Sequence, residues 1–343
     1  MRAAVLRSDR LEVDEVPDPR PGPGQVLVRT LACGICGTDL HAVKHGRRMA
    51  EVMAEGAAGG IEAVDLDRDV IMGHEVCGEI VELGPQVSGW RPGEVVTGLP
   101  TVIDERGAHQ VGFSNEYPGG FGELVVFDAE RTLRPEPGVD PRHVSLTEPL
   151  AVGIHAVNRS GIVPGEAAVV LGAGPVGVAV VAALVRRGIE PIVVSDYSPR
   201  RRELAAVLGA HTVVDPATDQ PVDAWRREGG RGPLVMFEAV GVPGMIDESM
   251  RTAPFGSRIL VVGACMEPDE IRPIRGIGRE LTISFSMAFA PDEFAESLAV
   301  IGAGEVNAEA LISGSVPIGR VPDAFLELAN PEAHAKLVVD PSL

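Results

Sequence analysis

Cysteine, aromatic residues and positive charge are all scarce in this sequence. Four cysteines in 343 residues are too few for a disulfide scaffold, and the N-terminus lacks the apolar segment of a signal peptide. We therefore expect a cytoplasmic protein whose thiols are reduced. Aromatic residues make up only 4% of the chain, so the hydrophobic core must consist mainly of Val, Ala, Leu and Ile.

The charge of the chain is strongly one-sided. Asp and Glu outnumber Lys and Arg by 49 to 30, and the formal net charge is −19. A surface of this sign repels nucleic acid and anionic membranes, so we expect neither as a partner. One uncharged stretch, residues 167–185, has almost the length of a membrane-spanning helix, but Gly172, Gly174 and Pro175 interrupt it. A strand, a tight turn and a buried helix fit it better.

The two parts of the chain have different patterns. The first 150 residues contain short Val-rich segments separated by Gly and Pro, which predicts an irregular, mostly antiparallel β domain. From about residue 167, six apolar runs alternate with helical patterns, which predicts a doubly wound α/β domain with a parallel six-stranded sheet. These six runs are residues 167–172, 191–196, 211–215, 234–241, 258–263 and 281–286.

Residues 171–177, LGAGPVG, contain the pattern G-x-G-x-x-G between a predicted strand and a predicted helix. The first glycine permits a tight turn, the second lets the backbone approach a pyrophosphate, and the third lets helix and strand pack closely. The next strand ends in an aspartate at the spacing that places it on the adenosine ribose. We predict a dinucleotide site that includes Gly172, Gly174, Pro175, Val176, Gly177 and Asp196.

Asp196 also bears on the choice of dinucleotide. A carboxylate at that position repels the 2′-phosphate of NADP, whereas the run Arg200–Arg202 could hold such a phosphate. On a helix those three arginines point in different directions, and a charged run of this kind is usually a solvated face. We therefore predict NAD.

Residues 33–41, CGICGTDLH, hold two cysteines, an aspartate and a histidine. A redox pair would need a dithiol at a helix N-terminus, and the surroundings are rich in β pattern. A structural zinc would need a second cysteine pair nearby, but Cys77 stands alone. A catalytic zinc requires partners elsewhere, and His74, Glu75 and Glu148 can supply an imidazole and carboxylates.

At these motifs the chain resembles the zinc-dependent alcohol and polyol dehydrogenases of the medium-chain dehydrogenase/reductase superfamily. The resemblance implies a β-rich GroES-like catalytic domain over residues 1–150 and 287–343, a Rossmann domain over 151–286, and an active site in the cleft between them. The matching segments are CGICGTDLH, GHE, PGGFGELVVF, TEPLAVGIHAV, LGAGPVG, FEAVGVPG and KLVVDP.

The resemblance also implies a polyol-type zinc site. It makes Cys36, His74 and Glu148 the zinc ligands, with Glu148 where other members have cysteine. Glu75 corresponds to a carboxylate beside the metal, and whether it ligates directly stays open. Asp39 corresponds to the residue that orients His74.

Further roles follow from the same resemblance. Thr38 and His41 correspond to a proton relay through the nicotinamide ribose. Cofactor contacts are implied along the adenine ribose, the nicotinamide and the pyrophosphate. The residues implied are Arg201, Val240, Val262, Ser286 and Lys336.

Two segments depart from the family pattern. Residues 99–120 lack the four cysteines that bind a structural zinc in many relatives, so we expect one zinc per chain. Residues 42–72 form a long insertion with Met49, Val52 and Met53 at helical spacing, which is either a surface helix or a lid over the substrate. His45, in the same insertion, is expected to be solvated.

The function expected from these observations is hydride transfer between an alcohol and NAD⁺, with zinc as Lewis acid and a ketone or aldehyde as product. The alcohol itself stays open among secondary alcohols, diols and polyols. The last predicted strand would be a sheet edge, so we expect a homodimer or homotetramer. Two alternatives are a zinc-free quinone or enone reductase on the same fold and a non-catalytic dinucleotide sensor.

Overall fold

The structure is a computed structural model that describes residues 1–7, 9–55, 64–330 and 332–343, and their side chains except those at 50 and 52–55. The chain forms two compact units. The second unit extends to Ser297, beyond the boundary at residue 286 predicted above. The first unit comprises Met1–Glu148, Leu298–Ala303 and Ile312–Leu343, and the second comprises Pro149–Ser297 and Gly304–Leu311.

The secondary structure follows the predicted succession of strands and helices. The strands are β1 (Arg2–Arg7), β2 (Arg10–Glu15), β3 (Gln25–Gly34), β4 (Glu75–Leu83), β5 (Val95–Gly98), β6 (Thr101–Asp104), β7 (Gly107–Gln110), β8 (Leu124–Asp128), β9 (Thr132–Leu133), β10 (Ala168–Leu171), β11 (Ile192–Ser195), β12 (Thr212–Val214), β13 (Val235–Glu238), β14 (Arg258–Val261), β15 (Thr282–Phe285), β16 (Gly314–Val316) and β17 (Leu337–Val339). The helices are α1 (Gly37–Glu55), α2 (Pro141–Val144), α3 (Thr147–Ser160), α4 (Pro175–Arg186), α5 (Pro199–Val207), α6 (Pro221–Arg227), α7 (Met245–Thr252), α8 (Pro273–Ile277), α9 (Pro291–Gly302), α10 (Ala308–Leu311) and α11 (Val321–Leu328).

The first unit is built on a mostly antiparallel sheet, as predicted. The strand order is β16-β17-β3-β4-β5-β9, and β8 also pairs with β3. β3 is buried along nearly its whole length, and it pairs with β4 on one edge and with β8 and β17 on the other. Its last residue, Gly34, is in register with Val338 of β17 on one side and Glu75 of β4 on the other. Three distant parts of the chain therefore meet at the end of β3.

The second unit contains the predicted parallel six-stranded sheet. The strand order is β12-β11-β10-β13-β14-β15, and every neighbouring pair is parallel. The chain winds outward from β10 in one direction and then outward from β13 in the other. The carboxyl ends of β10 and β13 therefore flank the crevice where open α/β sheets bind ligands. The uncharged stretch at 167–185 forms β10 and most of α4, and no helix among the described residues is long and apolar enough to cross a bilayer.

The region around the two clustered cysteines differs from the expectation in one respect. α1 begins at Gly37, directly after Cys36, so a helix N-terminus follows the two cysteines, although the unit around them is β-rich as expected. The helix runs through the insertion to Glu55, with a break at His45 (φ −138°, ψ 26°). Met49 is buried and His45 is exposed, as a surface helix packed on the domain requires. The side chains of Val52 and Met53 and residues 56–63 lie outside the described residues, so the lid stays a hypothesis.

The segment without cysteines forms a hairpin of β6 and β7. In place of sulfur ligands it contains a polar network centred on one carboxylate. Asp104 accepts hydrogen bonds from Arg106 Nη2 (2.7 Å) and the Tyr117 hydroxyl (3.0 Å), and it lies 2.8 Å from His109 Nε2. Arg106 is the main cause of the lowered pKa of Asp104. A carboxylate with several donors thus stabilises this hairpin.

Candidate metal centre and dinucleotide site

Cys36 occupies the short connection between β3 and α1. Its backbone N–H donates to Asp39 Oδ2 at 2.9 Å, which fixes the entry into the first turn of the helix. The Thr38 hydroxyl lies 3.6 Å from the Cys36 sulfur. The sulfur is therefore placed by the start of α1, next to a hydroxyl group.

His74 and Glu75 enter the same region from the start of β4. The preceding Gly73 has φ +98°, and a Cβ on it would lie 2.8 Å from the sulfur of Cys33, so only glycine fits this turn. The ligand atoms of Cys36, His74 and Glu75 all lie within 4.8 Å of one another. Within the described part of the chain, no other group of three or more His, Cys, Asp or Glu side chains has this spacing.

The donor set suits zinc. Thiolate, imidazole and carboxylate are the ligands that Zn²⁺ takes in proteins. Two buried atoms, His74 Nδ1 and Asp39 Oδ1, face each other at 3.6 Å, and neither has a hydrogen-bond partner among the described residues. Burial alone would lower the pKa of His74, but the negative charges of Asp39 and Cys36 raise it well above its usual value. Such a site favours a cation, either a proton or a metal ion.

Glu148, the predicted third ligand, lies at the start of α3 and does not belong to the 4.8 Å group. Its pKa is raised to about 7, first by burial and then by the charges of Glu75 and Asp39, while His74 and Lys336 act in the opposite direction. These mutual effects show that Glu148 lies within electrostatic range of the cluster. Its role as a ligand stays a prediction.

Lys336 has a partner that the sequence analysis missed. Its ammonium nitrogen lies 2.6 Å from each carboxylate oxygen of Glu75 and donates to the backbone oxygen of Ile35 at 3.3 Å. Both side chains of this ion pair are almost fully buried. A Cβ at Gly34 would lie 1.8 Å from Glu75 Oε2, so the glycine at that position makes room for the pair. The predicted contact of Lys336 with a pyrophosphate stays a prediction.

His41 lies one turn further along α1 than Thr38 and is half-buried. Burial, and then the charges of His45 and Lys44, lower the pKa of His41. Its imidazole is therefore neutral at neutral pH and able to accept a proton.

The glycine motif of the second unit has the geometry that its sequence predicts. Gly172 has φ +91° in the turn after β10, and Gly174 is the N-cap of α4, where an added Cβ would meet only Arg201 Nη1, at 3.9 Å. A Cβ at Gly177 would lie 2.0 Å from the Gly172 oxygen, so that glycine allows helix and strand to approach. The α4 N-terminus, where Pro175 and Val176 are the first residues, can therefore receive a phosphate.

Asp196 contributes to this turn directly. Its Oδ2 accepts the backbone N–H of Ala173 at 2.8 Å, and its Oδ1 accepts that of Ser198 at 2.8 Å. Arg201 lies 3.9 Å away, whereas Arg202 is bound to the Asp196 backbone oxygen and pairs with Asp215. The carboxylate thus orders the glycine turn, and its contact with the adenosine ribose stays a prediction.

The remaining predicted cofactor residues lie at the carboxyl ends of β13, β14 and β15. Val240 is 43% exposed, which is unusual for a valine beside a sheet core, and its side chain borders Gly172. The Ser286 hydroxyl is buried without a hydrogen-bond partner among the described residues. An exposed apolar side chain and an unpaired hydroxyl are suited to a nicotinamide ring and its carboxamide. Contact with a cofactor stays a prediction for both, and for Val262.

Comparisons with known proteins identify the family of this chain. The family model for the alcohol dehydrogenase GroES-like domain matches residues 22–137, and the one for zinc-binding dehydrogenase matches residues 175–303. The chain is 29% identical to (R,R)-butanediol dehydrogenase of Bacillus subtilis (strain 168). The alignment of 353 residues covers 100% of both chains. It is 32% identical to L-threonine 3-dehydrogenase of Pyrococcus horikoshii. That alignment of 264 residues covers 74% of this chain and 72% of that protein. Bovine sorbitol dehydrogenase is 28% identical over 332 residues, 92% of this chain and 89% of that protein.

Solved structures give the same result. The crystal structure of 2R,3R-butanediol dehydrogenase from Bacillus subtilis has a TM-score of 0.84 with 28% identity over 99% of each chain. A second crystal structure, described as a zinc-binding dehydrogenase from Sinorhizobium meliloti 1021 bound to NADP, has a TM-score of 0.83. Its sequence is 29% identical over 99% of each chain. The fold and sites thus define a dinucleotide-dependent oxidoreductase with a metal centre. The chain belongs to the zinc-dependent alcohol and polyol dehydrogenases of the medium-chain superfamily.

Zinc affinity should fall steeply as the pH is lowered from about 8 to 6. Glu148, with a pKa of about 7, and His74, with a raised pKa, must both lose their protons before they can bind the metal. We expect about a tenfold loss per pH unit for each proton displaced. Competition with a chromophoric chelator measures it, after correction for the chelator's own protonation. In the Glu148→Gln variant, zinc affinity should depend less steeply on pH. A pH dependence equal to that of the wild type would contradict the assignment of Glu148 as a zinc ligand.

Proposed function

We propose that the alcohol oxidised by this dehydrogenase is a vicinal diol or a polyol. The observation that carries the proposal is the carboxylate-rich metal centre, with Glu75 in the cluster and Glu148 in electrostatic range of it. The full-length similarity to a butanediol dehydrogenase and the similarity to sorbitol dehydrogenase support the same substrate class. A substrate with adjacent hydroxyl groups offers a second oxygen that can hydrogen-bond near the reacting one.

The residues have separate tasks in this proposal. Cys36, His74 and Glu148 hold zinc, which supplies Lewis-acid chemistry when bound. Thr38, beside the Cys36 sulfur, receives the proton of the substrate hydroxyl, and the neutral His41 accepts it for release to solvent. Glu75 keeps its negative charge because Lys336 lies against it. The glycine turn after β10 would hold NAD⁺, which would supply the hydride acceptor when bound.

A substrate panel tests the proposal. Vicinal diols, polyols, simple secondary alcohols and amino alcohols are each mixed with NAD⁺, and NADH absorbance is followed with zinc-loaded and chelator-treated enzyme. We expect the highest kcat/KM for a diol or polyol, with activity lost after chelation and restored by zinc. Chelator-resistant reduction of quinones or enones would favour the zinc-free alternative. NADH binding without turnover of any substrate would favour a sensor.

The third zinc ligand can be identified by exchange. Glu148→Ala should lose zinc to a chelator and lose most of kcat, yet still bind NADH, because the glycine turn of the second unit is untouched. Glu148→Cys should bind zinc more tightly and keep measurable turnover, because thiolate is the softer donor. Zinc content after dialysis and kcat are the measurements.

The matched control concerns the neighbouring carboxylate. Glu75→Gln leaves the buried ammonium of Lys336 without its counter-charge, so it is compared with the double variant Glu75→Gln/Lys336→Met, which removes both charges. Full zinc content and near-normal turnover in Glu148→Ala, together with zinc loss in the double variant, would make Glu75 the third ligand.

We further propose that NAD⁺ is preferred over NADP⁺. The carboxylate of Asp196 would repel a 2′-phosphate, and we expect a ratio of kcat/KM of at least about 100, or roughly 3 kcal/mol. Asp196→Asn removes the charge and keeps an acceptor for one of the two backbone N–H groups. This variant should lower the ratio of kcat/KM for NAD⁺ to that for NADP⁺. Asp219→Asn, which alters the partner of Arg227 at the end of α6, is the control and should leave the ratio unchanged. Equal use of both cofactors by the wild type would be the contrary result.

We propose a homodimer or homotetramer that works in the cytoplasm. β15 is an edge strand of the parallel sheet, and Phe285 at its end is 63% exposed. Met287, two residues further, is 84% exposed. Light scattering at micromolar concentration should give the mass of a dimer or tetramer. The Phe285→Lys variant should associate more weakly. A monomeric wild type would contradict the proposal.

A further inference from the structure

The segment FEAVGVPG, residues 237–244, contains a buried carboxyl group without an assigned role. Glu238 is the last residue of β13, and it is 1% exposed. Burial raises its pKa, hydrogen bonds from Gly241 and Val240 lower it, and no cationic side chain contributes. A buried carboxyl group is costly unless its environment compensates it. Its contacts therefore show what it provides to the protein.

The side chain of Glu238 fixes the turn that follows its own strand. Its Oε1 accepts the backbone N–H of Val240 at 2.7 Å and that of Gly241 at 2.9 Å. Gly241 has φ +69°, a conformation that L side chains rarely adopt. Two hydrogen bonds to one carboxyl oxygen thus stabilise a turn that leaves the Val240 side chain exposed.

The backbone of Glu238 fixes a second turn, after the neighbouring strand β14. Its carbonyl oxygen accepts the N–H of Val262 at 2.8 Å and that of Gly263 at 2.9 Å. The two turns are in close contact, because a Cβ at Gly263 would lie 2.3 Å from the Gly241 nitrogen and 2.9 Å from Glu238 Oε2. A movement of the Glu238 side chain would therefore disturb the first turn, and the close contact between the turns would transmit the change to the second.

Both turns lie at the carboxyl edge of the sheet, where the strand order reverses between β10 and β13. The first also touches the glycine turn, since a Cβ at Gly172 would lie 3.0 Å from the oxygen of Ala239 and from Val240. Glu238 thus connects three backbone segments around the position expected for the dinucleotide.

We propose that Glu238 is a positioning residue that sets the turns at Val240 and Val262 against the nicotinamide half of the cofactor. The inference rests on the proposed function in one respect, namely that those two valines contact the dinucleotide. Glu238 itself touches neither substrate nor cofactor, and it acts through the backbone N–H groups that it binds.

The experiment compares four variants of the full-length, zinc-loaded enzyme. Glu238→Ala removes the acceptor, Glu238→Gln keeps an acceptor oxygen at the same reach, and Glu238→Asp keeps the charge on a shorter side chain. Glu166→Ala is the matched control in the same unit, because Glu166 accepts the N–H of Val163 and pairs with Arg258 at the amino ends of the strands. For each, NADH affinity is measured by fluorescence titration, alongside KM for NAD⁺, kcat, zinc content and Tm.

We expect Glu238→Ala and Glu238→Asp to raise the Kd for NADH and the KM for NAD⁺ about tenfold or more, with zinc content unchanged. Glu238→Gln should remain within about threefold of the wild type in both constants. Glu166→Ala should lower Tm and leave NADH affinity unchanged, which separates a loss of stability from a loss of positioning.

The results that overturn the inference are distinct from those that overturn the proposed function. Wild-type protein that fails to bind NADH contradicts the function itself. Wild-type binding with unchanged affinity in Glu238→Asp and Glu238→Ala contradicts only the role of Glu238. If Glu238→Ala fails to fold, the comparison of Glu238→Asp with Glu238→Gln decides. An equal loss of NADH affinity in both variants would overturn the inference.

Discussion

The buried ion pair between Glu75 and Lys336 is the interaction on which the metal centre depends. It joins residues 261 positions apart in the sequence and closes the end of β3, where β17 and β4 flank Gly34. A buried carboxylate without a counter-charge would be strongly unfavourable, and removal of one partner of such a pair typically costs about 3–5 kcal/mol. The ion pair thus permits a charged Glu75 within 4.8 Å of the ligand atoms of Cys36 and His74.

The same pair changes the charge of the metal site. Zn²⁺ with the thiolate of Cys36, neutral His74 and the carboxylate of Glu148 would be neutral, and Glu75 would make the group negative and the metal a weaker Lewis acid. The ammonium of Lys336, at 2.6 Å from the Glu75 carboxylate, offsets that third negative charge. The site can therefore keep a carboxylate beside the metal without a net negative charge in a buried place.

Sequence patterns predicted the features that depend on local periodicity. The six parallel strands and the glycine turn follow from short-range patterns, and the structure contains them. The partner of Lys336 could not be predicted, because the two residues are brought together only by strand pairing and the sole local signal was a glycine at 34. The bond from Asp196 to the glycine turn was missed for a related reason. Spacing placed the carboxylate near the ribose position but gave no information on backbone donors.

Glu75 and Glu238 show two ways in which this chain accommodates a buried carboxyl group at the end of a strand. Glu75, at the start of β4, is compensated by a cation, so its charge remains available to a metal centre. Glu238, at the end of β13, is compensated by backbone N–H groups, so its hydrogen bonds fix the shape of a turn. A cation offsets charge without fixing a backbone, whereas N–H groups fix a backbone and offset less charge. The type of compensation therefore distinguishes a carboxylate kept for its electrostatic effect from one kept for its geometry.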